Sequence, residues 1–315
     1  MRFLFLLLLS PRTVAAQQCP SKPVRLVIGF AAGGTTDVVG RIVAQKVGEG
    51  WGQNMLVENR AGASGMIAAD AVAKAAPDGY TLLLSPQTSL AVAPALTGKA
   101  TYDAARDFTP ITVVGSTPTL MVVTPSFPAK SFAEFVAHAK ANSGKLNYTS
   151  CGPASPQHLA GEMLASQLGF KWQHVPYKGC APALADVLGN QVPLFISTVA
   201  HFNPQIKAGK LRGYAVLTGQ RTQFAPEYPA AAESVPGYVV DLWFGLLAPG
   251  RTPQPIIARL NDEVNKALRS PELREKLLAG SYEPVGGPPE RFAQAIKSDM
   301  EKFGKVIKEA GIKPD

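Results

Sequence analysis

Between residues 24 and 40 the chain reads VRLVIGFAAGGTTDVVG. Val24, Leu26, Val27 and Ile28 form an apolar run of the kind that makes a strand buried on both faces. A turn of small residues follows, Ala31-Ala32-Gly33-Gly34, and then a helix start at Thr35-Thr36-Asp37. Adjacent glycines permit positive φ and let a ligand approach the backbone closely. The helix start leaves N–H groups without intrahelical partners at the positive end of the helix dipole. Strand, glycine turn and helix start together make an anion-receptive site. The same pattern also serves as a plain βα connection in α/β domains, and the stretch alone does not separate the two.

Working outward, residues 37–47 carry Val38, Ile42, Val43 and Val47 as an amphipathic helix should, with Asp37 and Arg41 four apart and able to pair. Residues 56–58 predict a second strand, 59–65 a loop and 66–75 a small-residue helix. Residues 80–84 predict a third strand that ends at Ser85, Pro86, Gln87, Thr88 and Ser89. Alternating strands and helices argue for a parallel sheet covered on both faces. Further strands are expected at 111–114 and 119–123, and a helix at 131–141 with Ser131 as N-cap and Glu134 completing a capping box. A second strand–turn–helix unit follows about 120 residues after the first: a strand to Ser150, the turn Cys151-Gly152-Pro153-Ala154, then Ser155 as N-cap and Pro156 in the first turn. Two anion-receptive helix starts, one in each half, suit a cleft between domains. Strands at 174–177, 192–198, 211–217 and 239–247 and a helix at 181–188 lead to a helical remainder. Its last helix has a stripe of Phe292, Ile296, Met300, Phe303 and Ile307, which reads as core packing.

The amino end, MRFLFLLLLSPRTVAAQQC, has a basic start, a short apolar core and small residues at 14–16. This is the pattern of a secretory signal peptide cleaved after Ala16, too short to span a bilayer. The sequence before Cys19 is a poor lipidation context, so an exported, soluble chain is expected. The roughly 300 residues that remain exceed one typical domain. Apolar content of 46% with 17% charge indicates a well-buried globular chain. The formal charge is +8, two of which, Arg2 and Arg12, lie in the leader. The remaining basic residues are scattered, without the aromatic-interleaved stripe of a nucleic-acid binder.

Catalytic signatures are missing. The four histidines (His138, His158, His174, His201) form no HExxH and no Cys/His cluster with metal-ligand spacing, so no metal is expected. There is no G-x-S-x-G elbow, no P-loop lysine motif and no G-x-G-x-x-G, so no cofactor is expected either. Ser155 and His158 share a helix start, but no carboxylate is evident to orient the histidine. The reading is a non-enzyme. Cys151 and Cys180 each follow a strand-like run and would meet if those strands are neighbours; unpaired buried thiols are the alternative.

The segments VRLVIGFAAGGTTDVVGR (24–41), VENRAGASG (57–65), PDGYTLLL (77–84), HVPYKG (174–179) and IKAGKLRGYAV (206–216) resemble the Bug receptors, the TctC-type solute-binding proteins of tripartite tricarboxylate transporters. The resemblance runs from about residue 22 to the C-terminus. It implies a type II periplasmic-binding-protein fold, the Venus flytrap, in which two doubly wound α/β domains are joined by two crossing strands near residues 120–124 and 241–247. The expected division is a signal peptide at 1–16, the first part of domain I at 17–121, domain II at 122–243, and the rest of domain I with C-terminal helices at 244–315. It also implies a periplasmic protein that captures a small carboxylate and delivers it to integral-membrane transporter subunits, or serves a sensor kinase instead. An α/β enzyme acting on small organic acids is the remaining alternative.

Carried over by position, the first ligand loop is Phe30, Ala31, Ala32, Gly33, Gly34 and Thr35, and the second is Ser150, Gly152, Ser155 and His158. Ser85, Gln87, Thr88, Tyr177 and Lys178 are candidates for the cleft rim, Lys178 reading better as a solvated turn residue. Two departures from the family pattern matter. Its second loop usually reads G-x-G-[ST], whereas Gly152-Pro153-Ala154-Ser155 places a proline there, which removes a donor and stiffens the loop. Ser197 stands where many members have aspartate, so a ligand ammonium lacks an evident partner. A di- or tricarboxylate or an aromatic acid is therefore expected over an amino acid.

Overall fold

The computed structural model describes residues 20–153, 155–177 and 179–312. The leader, its cleavage point, Cys19, Ala154 and Lys178 lie outside the described residues. The chain opens with β1 (Val24–Ile28), α1 (Thr35–Trp51), β2 (Met55–Asn59), α2 (Met66–Ala73) and β3 (Thr81–Pro86). A π-helical segment at Thr88–Val92 and α3 (Ala93–Thr97) lead into β4 (Phe108–Thr117). Then come β5 (Thr119–Val123), α4 (Phe132–Ala141), β6 (Asn147–Thr149), α5 (Pro156–Leu168), β7 (Gln173–Val175) and α6 (Cys180–Leu188). These are followed by β8 (Leu194–Thr198), α7 (Val199–Lys207), β9 (Arg212–Val216) and β10 (Leu242–Pro249). The chain closes with α8 (Gln254–Arg269), α9 (Pro271–Ala279), β11 (Glu283–Pro284) and α10 (Pro289–Glu309). Among the described residues no helix is long and apolar enough to cross a membrane.

The strands form two sheets, one six-stranded in the order β11-β4-β10-β3-β1-β2 and one five-stranded in the order β7-β6-β8-β5-β9. β1 pairs parallel with β2 and β3, and β6 pairs parallel with β7 and β8, as the βα alternation requires. β5 lies wholly in the second sheet between β8 and β9, and β10 wholly in the first between β3 and β4. The first crossing is therefore at Pro118, not within residues 120–124, and the return crossing ends at Asp241, before β10 begins. A boundary at 121/122 would cut β5, and one at 243/244 would cut β10. Both strands are fully buried apolar runs, which is why sequence alone reads them as good spans for a crossing.

The register fixes how the sheets face each other. In the first sheet Leu242 pairs with Thr117 and Phe244 with Pro86, so both crossings leave from the carboxyl end of β1–β3. In the second, Thr119 pairs with Thr198 and Leu120 with Val216, so both crossings arrive at the carboxyl end of β6 and β8. The carboxyl edges of the parallel strands thus meet across the crossings, and the loops that follow β1 and β6 lie on those edges.

The helix α10 ties the halves together. Phe292 and Ile296 join a cluster with Trp243 and Leu247 of the first sheet, while Phe303 and Ile307 join one with Tyr148 and Phe135 of the second. The stripe is core, but of two cores. The capping box at α4 is offset by one residue. Ser131 Oγ accepts from the Glu134 N–H at 3.2 Å, and the Glu134 carboxylate accepts from the Lys130 N–H at 2.8 Å, not from that of Ser131.

Candidate functional site

The first wall follows β1. Phe30 is half-buried and its carbonyl accepts from Asn59 Nδ2 at 3.0 Å, while Ala31, Ala32 and Gly33 are exposed. Gly33 adopts φ +79°, the left-handed region that a glycine enters without penalty. Its N–H donates to Asp37 Oδ2 at 2.8 Å, and the Gly34 N–H turns back to the Ala31 carbonyl at 3.2 Å. The loop glycines shape the turn, and their own amides are internally occupied. The amides of Ala32, Thr35 and Thr36 find no protein acceptor among the described residues, the first helical bond being that of Val38 to Gly34.

Asp37 organises this wall. Its carboxylate also accepts from Arg41 Nε and Asn59 Nδ2, both at 2.9 Å, and the side chain is buried. Burial alone would raise its pKa; the hydrogen bonds from Arg41, Gly33 and Asn59 outweigh that and hold it at about 2. The sequence shows the Asp37–Arg41 spacing, but nothing in it marks Asn59 or Gly33 as partners of the same carboxylate.

Gln87 is almost fully buried and uses both ends of its amide on the return crossing: Nε2 donates to the Asp241 carbonyl at 2.8 Å, and Oε1 accepts from the Trp243 N–H at 2.9 Å. It sits at the hinge and not on an open rim. Ser85 is buried and donates to the Pro86 carbonyl at 2.9 Å; Thr88 is half-buried at the start of the π-helical segment.

The second wall follows β6. Ser155 caps α5, its Oγ accepting from the His158 N–H at 3.1 Å and donating to Ser150 Oγ at 3.2 Å. Ser150 is fully buried, lies 2.8 Å from His174 Nε2, and bonds both the carbonyl and the N–H of Gly152, at 3.0 and 3.2 Å. Gly152 has φ +138°, and a side chain there would press on the Tyr177 carbonyl at 3.1 Å. The His158 ring stacks on His174 with centroids 3.8 Å apart. Burial, then the neighbouring His174, lowers its pKa to about 3, so it is neutral. Tyr177 donates its hydroxyl to Asp186 Oδ2 at 2.5 Å, a bond that pushes its pKa to about 12.

Ser197 is fully buried, with Oγ 2.7 Å from His201 Nδ1 and 3.1 Å from Cys151 Sγ. β6 and β7 are neighbours, and Cys151 and Cys180 are joined as a disulfide. Among the described residues, Cys151, Cys180 and His201 form one group of three ligand-type atoms within 4.8 Å of one another, but its sulfurs are bonded to each other. The structure therefore brings the two predicted loops to facing edges. Ser85, Gln87, Ser150 and Ser197 are buried and Tyr177 half-buried, each with its polar atoms on protein partners. His174, His201, Asn59 and Asp37 are the partners that motif reading misses. A cavity of about 640 Å³ elsewhere, between α5 and α10, is lined by Glu162, Trp172, Lys171 and Lys302 and holds none of the loop residues.

Comparison with known proteins gives a consistent result. The sequence model of the tripartite tricarboxylate transporter family receptor matches residues 39–312. Protein BugT of Bordetella pertussis is 34% identical over 302 residues, covering 95% of this chain and 93% of BugT. A solved R. palustris protein with adipate is 36% identical at TM-score 0.80, covering 94% of this chain and all of that one. MatC from Rhodopseudomonas palustris with bound malate is 32% identical at TM-score 0.75, covering 91% and 99%. The two-sheet architecture is that of the type II periplasmic binding proteins, the Venus flytrap.

Proposed function

The chain belongs to the tripartite tricarboxylate transporter receptor family, and on that premise we propose that it captures a small carboxylate between its two facing edges. The observation that carries this reading is the register. It turns the carboxyl ends of both sets of parallel strands toward the crossings, where a glycine turn with a helix start stands on one side and a Ser-capped helix start on the other. The amides of Ala32, Thr35 and Thr36 receive one carboxylate, with Asp37 holding the turn open. The loop from Ser150 to Ser155 forms the opposing wall, and hinge closure about Pro118 and Asp241 brings the walls together. A linear dicarboxylate of the adipate or malate type is the first class to test, since neighbours over 30% identical hold these.

The chain is exported to the periplasm, where relatives of this kind reside, and passes its ligand to the membrane subunits of a transporter. Turnover has no support in the geometry: Ser150 and Ser197 each sit beside a histidine, but both are fully buried and present no nucleophile to a solute.

A thermal-shift panel with adipate, malate, succinate, citrate, benzoate, aspartate and glutamate tests this. At a concentration a hundred times Kd, a ligand adds about 2.7 kcal/mol to the folded state, which is readily seen. Plain carboxylates are expected to raise Tm. Greater stabilisation by aspartate and glutamate would overturn the ligand class, and no response to any acid would overturn the clamp.

A further inference from the structure

Cys151 and Cys180 do more than staple two segments. Cys151 lies inside the second-wall loop, directly after Ser150, and Cys180 is the first residue of α6, so their bond ties that loop to a helix start. Both sulfurs belong to half-buried residues. Ser197 Oγ stands 3.1 Å from the Cys151 sulfur and 3.9 Å from that of Cys180, and it positions His201 Nδ1 at 2.7 Å. A helix amino end is one of the environments that stabilise a thiolate; burial lowers the pKa of His201, so its imidazole stands neutral beside the sulfurs.

We infer that the Cys151–Cys180 disulfide is a thiol-exchange site that sets the state of the carboxylate clamp, with a low-molecular-weight thiol such as glutathione as co-reactant. A thiolate attacks the Cys151 sulfur; the Cys151–Cys180 bond breaks as the mixed disulfide forms, and the electron pair leaves on Cys180. Cys180 is the leaving group because it is the first residue of α6, whose amino end stabilises its thiolate, and the better-stabilised thiolate leaves faster. A second thiol then attacks the mixed disulfide, releasing the oxidised small disulfide. The two thiol protons end on Cys151 and Cys180, so two small thiols are oxidised and one protein disulfide is reduced. Without the bond, the Ser150–Ser155 wall is no longer anchored to α6, and the clamp loosens.

This rests on the carboxylate-clamp reading, so the experiment separates the two. The folded protein is incubated with graded glutathione, quenched with iodoacetamide and weighed intact. Loop mobility is followed by amide hydrogen exchange at residues 150–159, and adipate and malate affinity by calorimetry. Expected are a single glutathionyl adduct on Cys151 with alkylated Cys180, and faster amide exchange in the loop on reduction. Affinity for whichever acid the oxidised protein binds should fall at least tenfold both on reduction and in the Cys151→Ser/Cys180→Ser variant. A disulfide that resists excess glutathione until the protein unfolds, or a loop whose amide exchange is the same in both states, overturns the thiol site. If the oxidised protein binds neither acid nor any other acid of the thermal-shift panel, the clamp reading fails, while mass and hydrogen exchange still decide the thiol site.

Discussion

The backbone N–H of Trp243 donates to Gln87 Oε1 at 2.9 Å, just where the chain re-enters the first sheet. The other end of the same amide holds the Asp241 carbonyl at 2.8 Å, so one side chain closes the backbone on both sides of Leu242. Gln87 is buried, and its replacement by leucine keeps the volume but leaves the buried Trp243 N–H unmade, while the Asp241 carbonyl, on an exposed residue, can turn to water. A buried group left unmade costs about 1–3 kcal/mol. Gln87→Leu is expected to lose about 1–3 kcal/mol in urea unfolding, together with affinity, because the return crossing is no longer held. A loss below about 0.5 kcal/mol would show that the crossing is fixed by its strand pairing alone.

Gly33 takes φ +79° with open space where a side chain would go. A β-branched residue there meets no neighbour, yet the left-handed conformation costs it at least about 1–2 kcal/mol. The loop would relax toward negative φ, pulling the Gly33 N–H off Asp37 and swinging the Ala32 amide. Gly33→Val is expected to keep the circular dichroism of the parent and to lose carboxylate binding. Adipate or malate affinity equal to that of the parent, measured by calorimetry, would remove this loop from the site.

The opening unit was legible because every signal in it is local: an apolar run, a glycine pair and a helix start on consecutive residues. The same holds for Ser155, whose capping role follows from its place before Pro156. What the sequence hides is long-range. Gln87 reads as a polar residue at a strand end, and only the pairing of β10 beside β3 brings Asp241 and Trp243 to it, more than 150 residues away. Ser197 likewise reads as a ligand position, yet folding places His201 and Cys151 around its oxygen. The places of the crossings are hidden for a related reason. β5 and β10 are apolar throughout, and composition does not say which sheet a buried strand joins.

His158 carries a pH dependence whose sign can be fixed. Its pKa is near 6.5 in an unfolded chain and about 3 here, lowered first by burial and then by His174. Protonation therefore favours the unfolded state. Its contribution is complete above pH 6.5 and is lost as the pH falls from there toward 3, by an amount on the order of 2–4 kcal/mol. His158→Gln does not titrate, so its stability curve should be flatter over this window in urea titrations from pH 7.5 to 4. Parallel curves for the two proteins would show that His158 is not the group that titrates.

Gly245 sets how closely α10 approaches the first sheet. A Cβ on this residue of β10 would fall 1.9 Å from Cζ of Phe292, an overlap that requires the ring to move. The ring has little room: Phe292 is 1% exposed and meets Trp243 edge-on with centroids 5.1 Å apart. The Trp243 indole in turn donates to Asp299 Oδ2 at 2.7 Å, one turn of helix before the residues that enter the second core. Overpacking of this kind typically costs about 1–3 kcal/mol, and Gly245→Ala is expected to fall in that range. A double-mutant cycle with Phe292→Leu separates the cause from a general loss of strand fit. If the cost is the overlap, Gly245→Ala should be nearly neutral in the Phe292→Leu background, where the ring is gone. Additive losses would instead place the penalty in the pairing of β10 itself. Contact with Phe292 would then not be what keeps a glycine at position 245.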